Sequence, residues 1–279
     1  MNARLWTRLK RDRAGMTGLA IIVLFLGASL LSWAGILGSG WSTAAGGAWE
    51  GMSAQHWFGT NRLGQDIFDR AVRSIGTAFR VGLVVALCSV ALGAAFGAAA
   101  GWRPGSWLDE AVLWIKGVLD SVPFYLFAAA LAFALGGLAG AMYLAMIATF
   151  WTATGRLVRG EIIRLRQQEF VQSARAIGLP PALILWRHLL PNTVHILTVQ
   201  GALTFVAAIK TEVILSFLGL GVQDGVSWGL MLAESTQDVL AGHFGNFLSA
   251  SLLLFGLLLG FNLLADALQD AVDVREVGA

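Results

Sequence analysis

Long uncharged apolar runs, separated by short charged stretches, dominate the pattern of the chain. Met16–Leu37 runs 22 residues and Val81–Gly101 runs 21 without a charged side chain. Each matches the roughly 20 apolar residues that a helix needs to cross a bilayer. Ser121–Gly155 runs 35 uncharged residues, too many for one crossing. Gly136, Gly137 and Gly140 mark a break in it, which predicts a third span over 111–135 and a fourth over 138–158. A fifth span is predicted over 193–215, carrying His195, Lys210 and Glu212, and a sixth over 246–265. The pattern therefore predicts an all-α, polytopic membrane protein with six transmembrane helices. Six crossings put both termini on one side.

The segments between these runs divide the chain further. Residues 1–15 form a basic amphipathic segment that suits an anionic membrane surface. Residues 16–75 hold the first span and an outer-side amphipathic stretch at 56–75. There Asp66 with Arg70, and Asp69 with Arg73, are i,i+4 pairs in the favourable order, beside Ile67, Phe68, Ala71, Val72 and Ile75 at helical spacing. Residues 76–268 form a five-span core that includes a long loop at 160–191, and 269–279 form a tail. The loop predicts a helix up to Ile177, a stop at Gly178, a break at Pro180 and Pro181, and a second short helix over 182–189 that ends at Pro191. It is basic, and its apolar residues Phe170, Val171, Ala174 and Ile177 suggest docking to another protein.

Composition makes the membrane reading firm. The chain is 57% hydrophobic and 13% charged, against about 45–50% and 25% for soluble domains. A soluble globular enzyme is excluded on that ground. Basic residues set the orientation. The N-terminal tail, the connection between spans four and five from Arg156 to Arg187, Arg103 and Arg275 place 13 Lys and Arg on one side, against Arg62, Arg70 and Arg73 on the other. The termini and the loop are therefore expected in the cytoplasm. The first apolar run exceeds the 7–15 residues of a signal-peptide core, so it is expected to stay as a span. The net charge of +2 leaves no footprint for nucleic acid, and no such partner is expected beside the lipid bilayer.

Candidate chemistry is sparse. Cys88, the one cysteine, excludes a disulfide framework and any cysteine-based zinc site. No P-loop, HExxH, GxSxG or histidine cluster is present, so no metal site is expected. Gly93, Gly97 and Gly101 form a doubled GxxxG in span two, a pattern that lets helices approach closely. Charges inside spans are costly and face the interior or water. Lys116 and Asp120 are i,i+4 in span three and suit a pair. Lys210 and Glu212 point in different directions on span five; Lys210 suits snorkelling, and Glu212 either lines a pathway or ties span five to its neighbours. These four are the candidates for a translocation path or gate.

The loop also carries a resemblance. The importer signature reads Glu-Ala-Ala, three residues, Gly, nine residues, Ile-x-Leu-Pro. Here Gln172, Ser173 and Ala174 are followed by Gly178 and then by His188, Leu189, Leu190 and Pro191, so Ala, Gly, Leu and Pro match. Arg187–Asn192 reads RHLLPN, and FGTNRLGQD (58–66), EVILSFLGLGVQ (212–223) with Ser227-Trp228-Gly229, and FNLLADALQDAVDVR (261–275) follow in order. The chain thus resembles the binding-protein-dependent ABC importer permeases of the dipeptide, oligopeptide and nickel group over essentially its whole length. Gln172 stands where the signature has a glutamate, and Gln65 where the branch has an arginine.

The resemblance implies the type I ABC importer permease fold in the bacterial inner membrane. It implies a coupling loop, with Phe170, Gln172, Ser173, Ala174, Arg175, Gly178, His188, Leu190 and Pro191 as its residues, seated in a groove of an ATPase. The chain itself would hold no cofactor; ATP and magnesium would be bound by two partner ATP-binding subunits. A homologous second permease and an extracytoplasmic solute-binding protein complete the expected assembly. Short peptides are the expected substrate, with nickel or a metal–chelator complex as the alternative. A membrane assembly or sensor subunit is the reading from another class, and the helix–Gly–helix loop argues against it. An embedded enzyme would need paired acids or a histidine cluster in its spans, and neither occurs.

Overall fold

The computed structural model describes residues 9–135, 140–222 and 225–273. Residues 1–8 of the basic segment, the Gly136–Gly137 break, Gln223 and the tail from 274 onward lie outside the described residues. Among the described residues helix is the regular element, apart from two isolated bridges, Ala44–Gln65 and Thr60–Asp66.

The long helices are α1 (Arg13–Trp33), α2 (Ile67–Trp102), α3 (Trp107–Ser121), α4 (Phe124–Ala134) and α5 (Ala141–Leu165). The short α6 (Glu169–Ala176) and α7 (Pro181–Ile184) precede α8 (Val194–Phe217), α9 (Trp228–Leu240) and α10 (Gly245–Asp273). Side-chain caps set several starts. Asp12 accepts from the backbone of Ala14 and Gly15, Asp66 from Asp69, Ser106 from Asp109 and Ser227 from Leu230.

Neighbouring contacts fix the direction of each helix. Trp33 Nε1 donates to the Gly76 carbonyl at 3.0 Å and Gly38 lies against Asp69 and Arg73, so α1 and α2 run antiparallel. Gly93 lies against Trp151 and Thr154, Gly97 against Gly155 and Val158, and Gly101 against Arg159 and Ile162. The constant offset means that α2 and α5 run in the same direction, and the chain between them must return it to the starting side. Gly15 lies against Ala267 and Gly18 against Gly260, which makes α1 antiparallel to α10. The described ends of the chain and the turn after α5 therefore share one end of the bundle.

Several boundaries differ from the sequence reading. Span two and the second half of the outer amphipathic stretch are one 36-residue helix, α2, while 56–66 lie before it; the first turns belong to the bundle core, with Ile67, Ala71, Val72 and Ile75 all buried. The expected i,i+4 pairs there find other partners. Arg70 Nη2 meets Glu234 Oε2 at 2.7 Å, His56 Nδ1 and Asp66 Oδ2 are 2.7 Å apart, Asp69 accepts from Gly40 N at 3.1 Å, and Arg73 donates to the Ser32 carbonyl at 2.8 Å. Packing against α1 and α9 outcompetes pairing along the helix surface.

The third span is not straight. The segment expected as one helix over 111–135 is α3 and α4, bent by 94° at Val122–Pro123. Proline pushes the residue before it out of the helical region, and Val122 sits at φ −93, ψ 131. Pro191 does not end the second loop helix, either. It opens the 3-10 turn Leu190–Thr193, where a missing N–H is tolerated, and the chain from Pro181 runs on into α8 through a π turn at Leu185–Leu189.

Among the described residues, four helices are long and apolar enough to cross a membrane: α1, α2, the run from Pro181 through α8, and α10. The bent α3–α4 pair makes five. Helix α5 would be the sixth; only 141–155 of it precede Arg156, so its lower half is charged.

The seam between α2 and α5 is the tightest in the bundle. A Cβ at Gly97 would lie 2.5 Å from the Gly155 carbonyl oxygen, and one at Gly93 would lie 2.7 Å from that of Trp151. Backbone cannot yield as a flexible side chain can. Gly97→Leu is expected to destabilise the chain by at least about 1–3 kcal/mol. The measurement is the midpoint of thermal unfolding in detergent. Gly160→Ala, with nothing within 4 Å of the added carbon, should hold or raise that midpoint.

Candidate functional site

The loop after α5 is built on the shared end of α2 and α5. Val171 and Ala174 of α6, Ile184 of α7 and Leu189 pack into one buried cluster with Ala98, Val158, Ile162 and Leu165. Two arginines fasten it further to Trp102, the last residue of α2. Arg166 Nη1 donates to the Trp102 carbonyl at 2.9 Å, and the Arg175 guanidinium lies 4.8 Å from the centre of the Trp102 ring. The loop is thus part of the rigid body that α2 and α5 form.

Helix α6 stops where the sequence indicated. Gly178 sits at φ +86, in the left-handed region that only glycine enters at little cost. Its N–H donates to the Arg175 carbonyl at 2.9 Å, and Leu179 N to the Ala174 carbonyl at 3.2 Å, which answers carbonyls the helix end leaves free. Apart from its two chain neighbours, no atom among the described residues lies within 4 Å of a Cβ built there, so backbone conformation alone calls for glycine at this point.

The signature residues divide by side. Gln172, Ser173, Arg175 and Gly178 are exposed, as is Phe170, while Ala174 faces inward. His188 and Leu190 are half-buried, and Pro191 is exposed. The His188 carbonyl accepts from Asn192 Nδ2 at 2.6 Å. Ile177 and Trp186, at 79% and 66% exposure, extend the outward apolar surface with Phe170 and Leu183. Trp186 and Leu183 were not singled out in the sequence; their i,i+3 spacing after the proline break is the signal that marks them. This end of the chain presents an apolar face edged by polar and basic side chains, the composition of a protein-docking surface.

The charged span residues do not gather into one cluster. Lys116 Nζ and Asp120 Oδ2 pair at 2.5 Å, and Thr152 of α5 donates to Asp120 Oδ1 at 3.2 Å. Glu212 is 2% exposed and accepts from Ser216 Oγ at 2.6 Å. Ser227, the cap of α9, bonds the same carboxylate, so Glu212 joins α8 to the start of α9. Lys210, two positions earlier, is exposed on the other side of α8.

One ion pair was not foreseen. Asp109, 2% exposed, takes both Nε and Nη2 of Arg159, at 2.6 and 2.8 Å, and also accepts from Gly105 N. It holds the start of α3 against α5 directly above the loop. In the sequence the partners lie 50 residues apart, and no local pattern links them. Asp109→Ala should leave the guanidinium unpaired and lower stability by about 2 kcal/mol. Chemical unfolding in detergent measures this, and a shift under about 0.5 kcal/mol would mean that the pair is only a surface contact.

A bundle of apolar helices with a partly apolar helical turn at one end is the architecture of a multi-pass membrane protein. Comparison with known proteins gives the class its family. The model of the binding-protein-dependent transport system inner membrane component matches residues 91–277, and the chain belongs to that family. The chain is 34% identical over 274 residues to the dipeptide transport system permease protein DppC of Bacillus subtilis, covering 97% of this chain and 84% of that one. It is 36% identical over 276 residues to the glutathione transport system permease protein GsiD of Escherichia coli, covering 98% and 90%. With the oligopeptide transport system permease protein OppC of Mycobacterium tuberculosis it shares 36% identity over 222 residues, covering 78% and 76%. It is a multi-pass membrane protein of the permease class.

Proposed function

We propose that this chain is one of two membrane subunits of an ATP-driven importer of short peptides. Its partners in this reading are a homologous second permease, two ATP-binding subunits and an extracytoplasmic solute-binding protein. The single observation that carries the proposal is the loop from α6 to α8: an outward apolar face on a turn welded to α2 and α5. A chain without a P-loop needs an external source of work, and this turn is where such work can enter. Motion of an ATPase would move the turn and both helices together, because side-chain packing in a core does not deform continuously. The peptide substrate rests on the relatives, whose names give dipeptides, oligopeptides and glutathione.

In this reading the shared end of the bundle faces the cytoplasm, as the excess of basic residues there requires. Helix α5 then supplies the sixth crossing, since α2 and α5 run the same way. Glu212 acts as an outer latch between α8 and α9. Lys210 and the Lys116–Asp120 pair are the remaining candidates for the path.

Two variants test the arrangement. A cysteine at Gln168 should be labelled by an impermeant thiol reagent only after the cells are opened; labelling from outside intact cells would overturn the topology. Gly178→Val forces a branched side chain into left-handed backbone, at about 1–2 kcal/mol, and should reshape the turn without touching a span. The expected result is a membrane-inserted permease whose complex hydrolyses ATP without peptide uptake, or loses its ATPases on purification. Uptake into proteoliposomes holding the whole complex reads this out, and wild-type uptake by Gly178→Val would remove the coupling role. Failure of the wild-type complex to accumulate any di- or tripeptide would overturn the substrate assignment.

A further inference from the structure

On the opposite end of the bundle, a cavity of about 170 Å³ opens between the segment that follows α1 and the link from α9 to α10. Its character is unusual for an outer surface. Asp238, 2% exposed, accepts from Trp49 Nε1 at 2.8 Å and from Asn246 Nδ2 at 3.2 Å, yet no cation lies within ion-pair distance of it among the described residues. Arg70 on the facing helix is hydrogen-bonded to Glu234 at 2.7 Å and acts on Asp238 only through space, beyond ion-pair distance. Asn246, 1% exposed, turns its amide nitrogen to Asp238 and leaves its Oδ1 buried with no hydrogen-bond partner. Trp49 is the one non-glycine residue at positive φ among the described residues, at +57. Its ring stacks on His243 with centroids 5.3 Å apart and planes 2° from parallel. Phe58 and Phe244 add aromatic wall, and the Glu50 carboxylate stands at the rim.

We infer that this cavity binds a primary ammonium group. Two buried or half-buried carboxylates, Asp238 and Glu234, share the single guanidinium of Arg70, and this excess of negative charge, with a buried amide oxygen that lacks a donor, calls for one ligand that brings positive charge and N–H donors. Aromatic faces favour the same charge through their quadrupoles. An anion would meet Asp238 and Glu50, and an apolar ligand would leave Asn246 Oδ1 unanswered. A divalent metal needs about six oxygen ligands, which these walls do not supply. The left-handed Trp49 fits this reading, since strained backbone gathers at binding sites and here sets the indole between Asp238 and His243. The ammonium comes either from the N-terminus of a peptide or from a lysine side chain of a protein seated on this face. The first source rests on the proposed peptide import.

Saturation-transfer NMR on the full chain in micelles, with ethylammonium as the probe and ethanol as its neutral control, tests the inference. Ethylammonium should give a saturable signal and ethanol none. Asp238→Asn should weaken binding tenfold or more. Glu50→Gln, on the exposed rim, keeps the side chain's shape and an oxygen that can accept from Gly47 N, and should weaken it two- to fivefold. Equal signals from ethylammonium and ethanol, or unchanged binding in both variants, would overturn the site. Displacement by dialanine but not by N-acetyl-dialanine identifies a peptide terminus. Displacement by Nα-acetyl-lysine amide identifies a lysine, and displacement by neither overturns the assignment. Peptide uptake by the wild-type complex is measured in parallel. Uptake without ethylammonium binding ends the cavity proposal alone, and binding without uptake ends the import proposal alone.

Discussion

The backbone contact between α2 and α5 is the constraint on which the rest of the fold depends. In a bilayer the hydrophobic effect gives helices no reason to associate, so association rests on close packing. Gly93, Gly97 and Gly101 remove the side chains along one face of α2 and let Gly155 and the backbone of Arg159 approach. Once these two helices are locked parallel, the connection between them must cross back. The bent pair α3 and α4 makes that return, and Asp109 is buried against Arg159 at its foot. The two ends of the chain then close the bundle from outside, α1 packing antiparallel on α10.

Both ends of this pair are tied to neighbouring elements. At one end the turn from α6 to α8 is built into α2 and α5 through a buried apolar cluster and two arginines on Trp102. At the other, polar side chains stitch the short α9 to its neighbours: Arg70 to Glu234, Trp228 Nε1 to the Ala71 carbonyl, and Glu212 to Ser227. Trp228 and Met231 of α9 also pack with Ile67, Ala71, Val72 and Ile75 of α2 in one buried apolar cluster, so both ends are held by apolar contact as well as by polar links.

Much of this was legible from residues alone. Apolar run length located α1, α8 and α10, and the GxxxG repeat marked the seam. Glycine followed by Pro-Pro marked the turn at Gly178 to the residue. What escaped the sequence has identifiable causes. Periodicity cannot tell a free amphipathic helix from the first turns of a long one, so the outer stretch was separated from α2. The i,i+4 rule weighs neighbours on one helix, and Arg70 instead met a carboxylate 164 residues away. A proline at 123 in a featureless apolar run signals a bend only weakly, and glycines further on drew the break away from it. The Asp109–Arg159 pair and the Trp49–Asp238–Asn246 corner join residues far apart in the chain, which only the fold brings together.

The central claim is that the α6–α8 turn receives the work of an ATPase and passes it to α2 and α5 as one body. The most direct measurement is site-specific cross-linking from Ile177→Cys, a position 79% exposed on the outward face of the turn, in the assembled complex with and without ATP. The account predicts a cross-link to an ATP-binding subunit whose yield changes with nucleotide, while a spin-label distance between α2 and α5 stays constant. No cross-link in any nucleotide state, or a change in the α2–α5 distance as large as the movement of the turn, would contradict it.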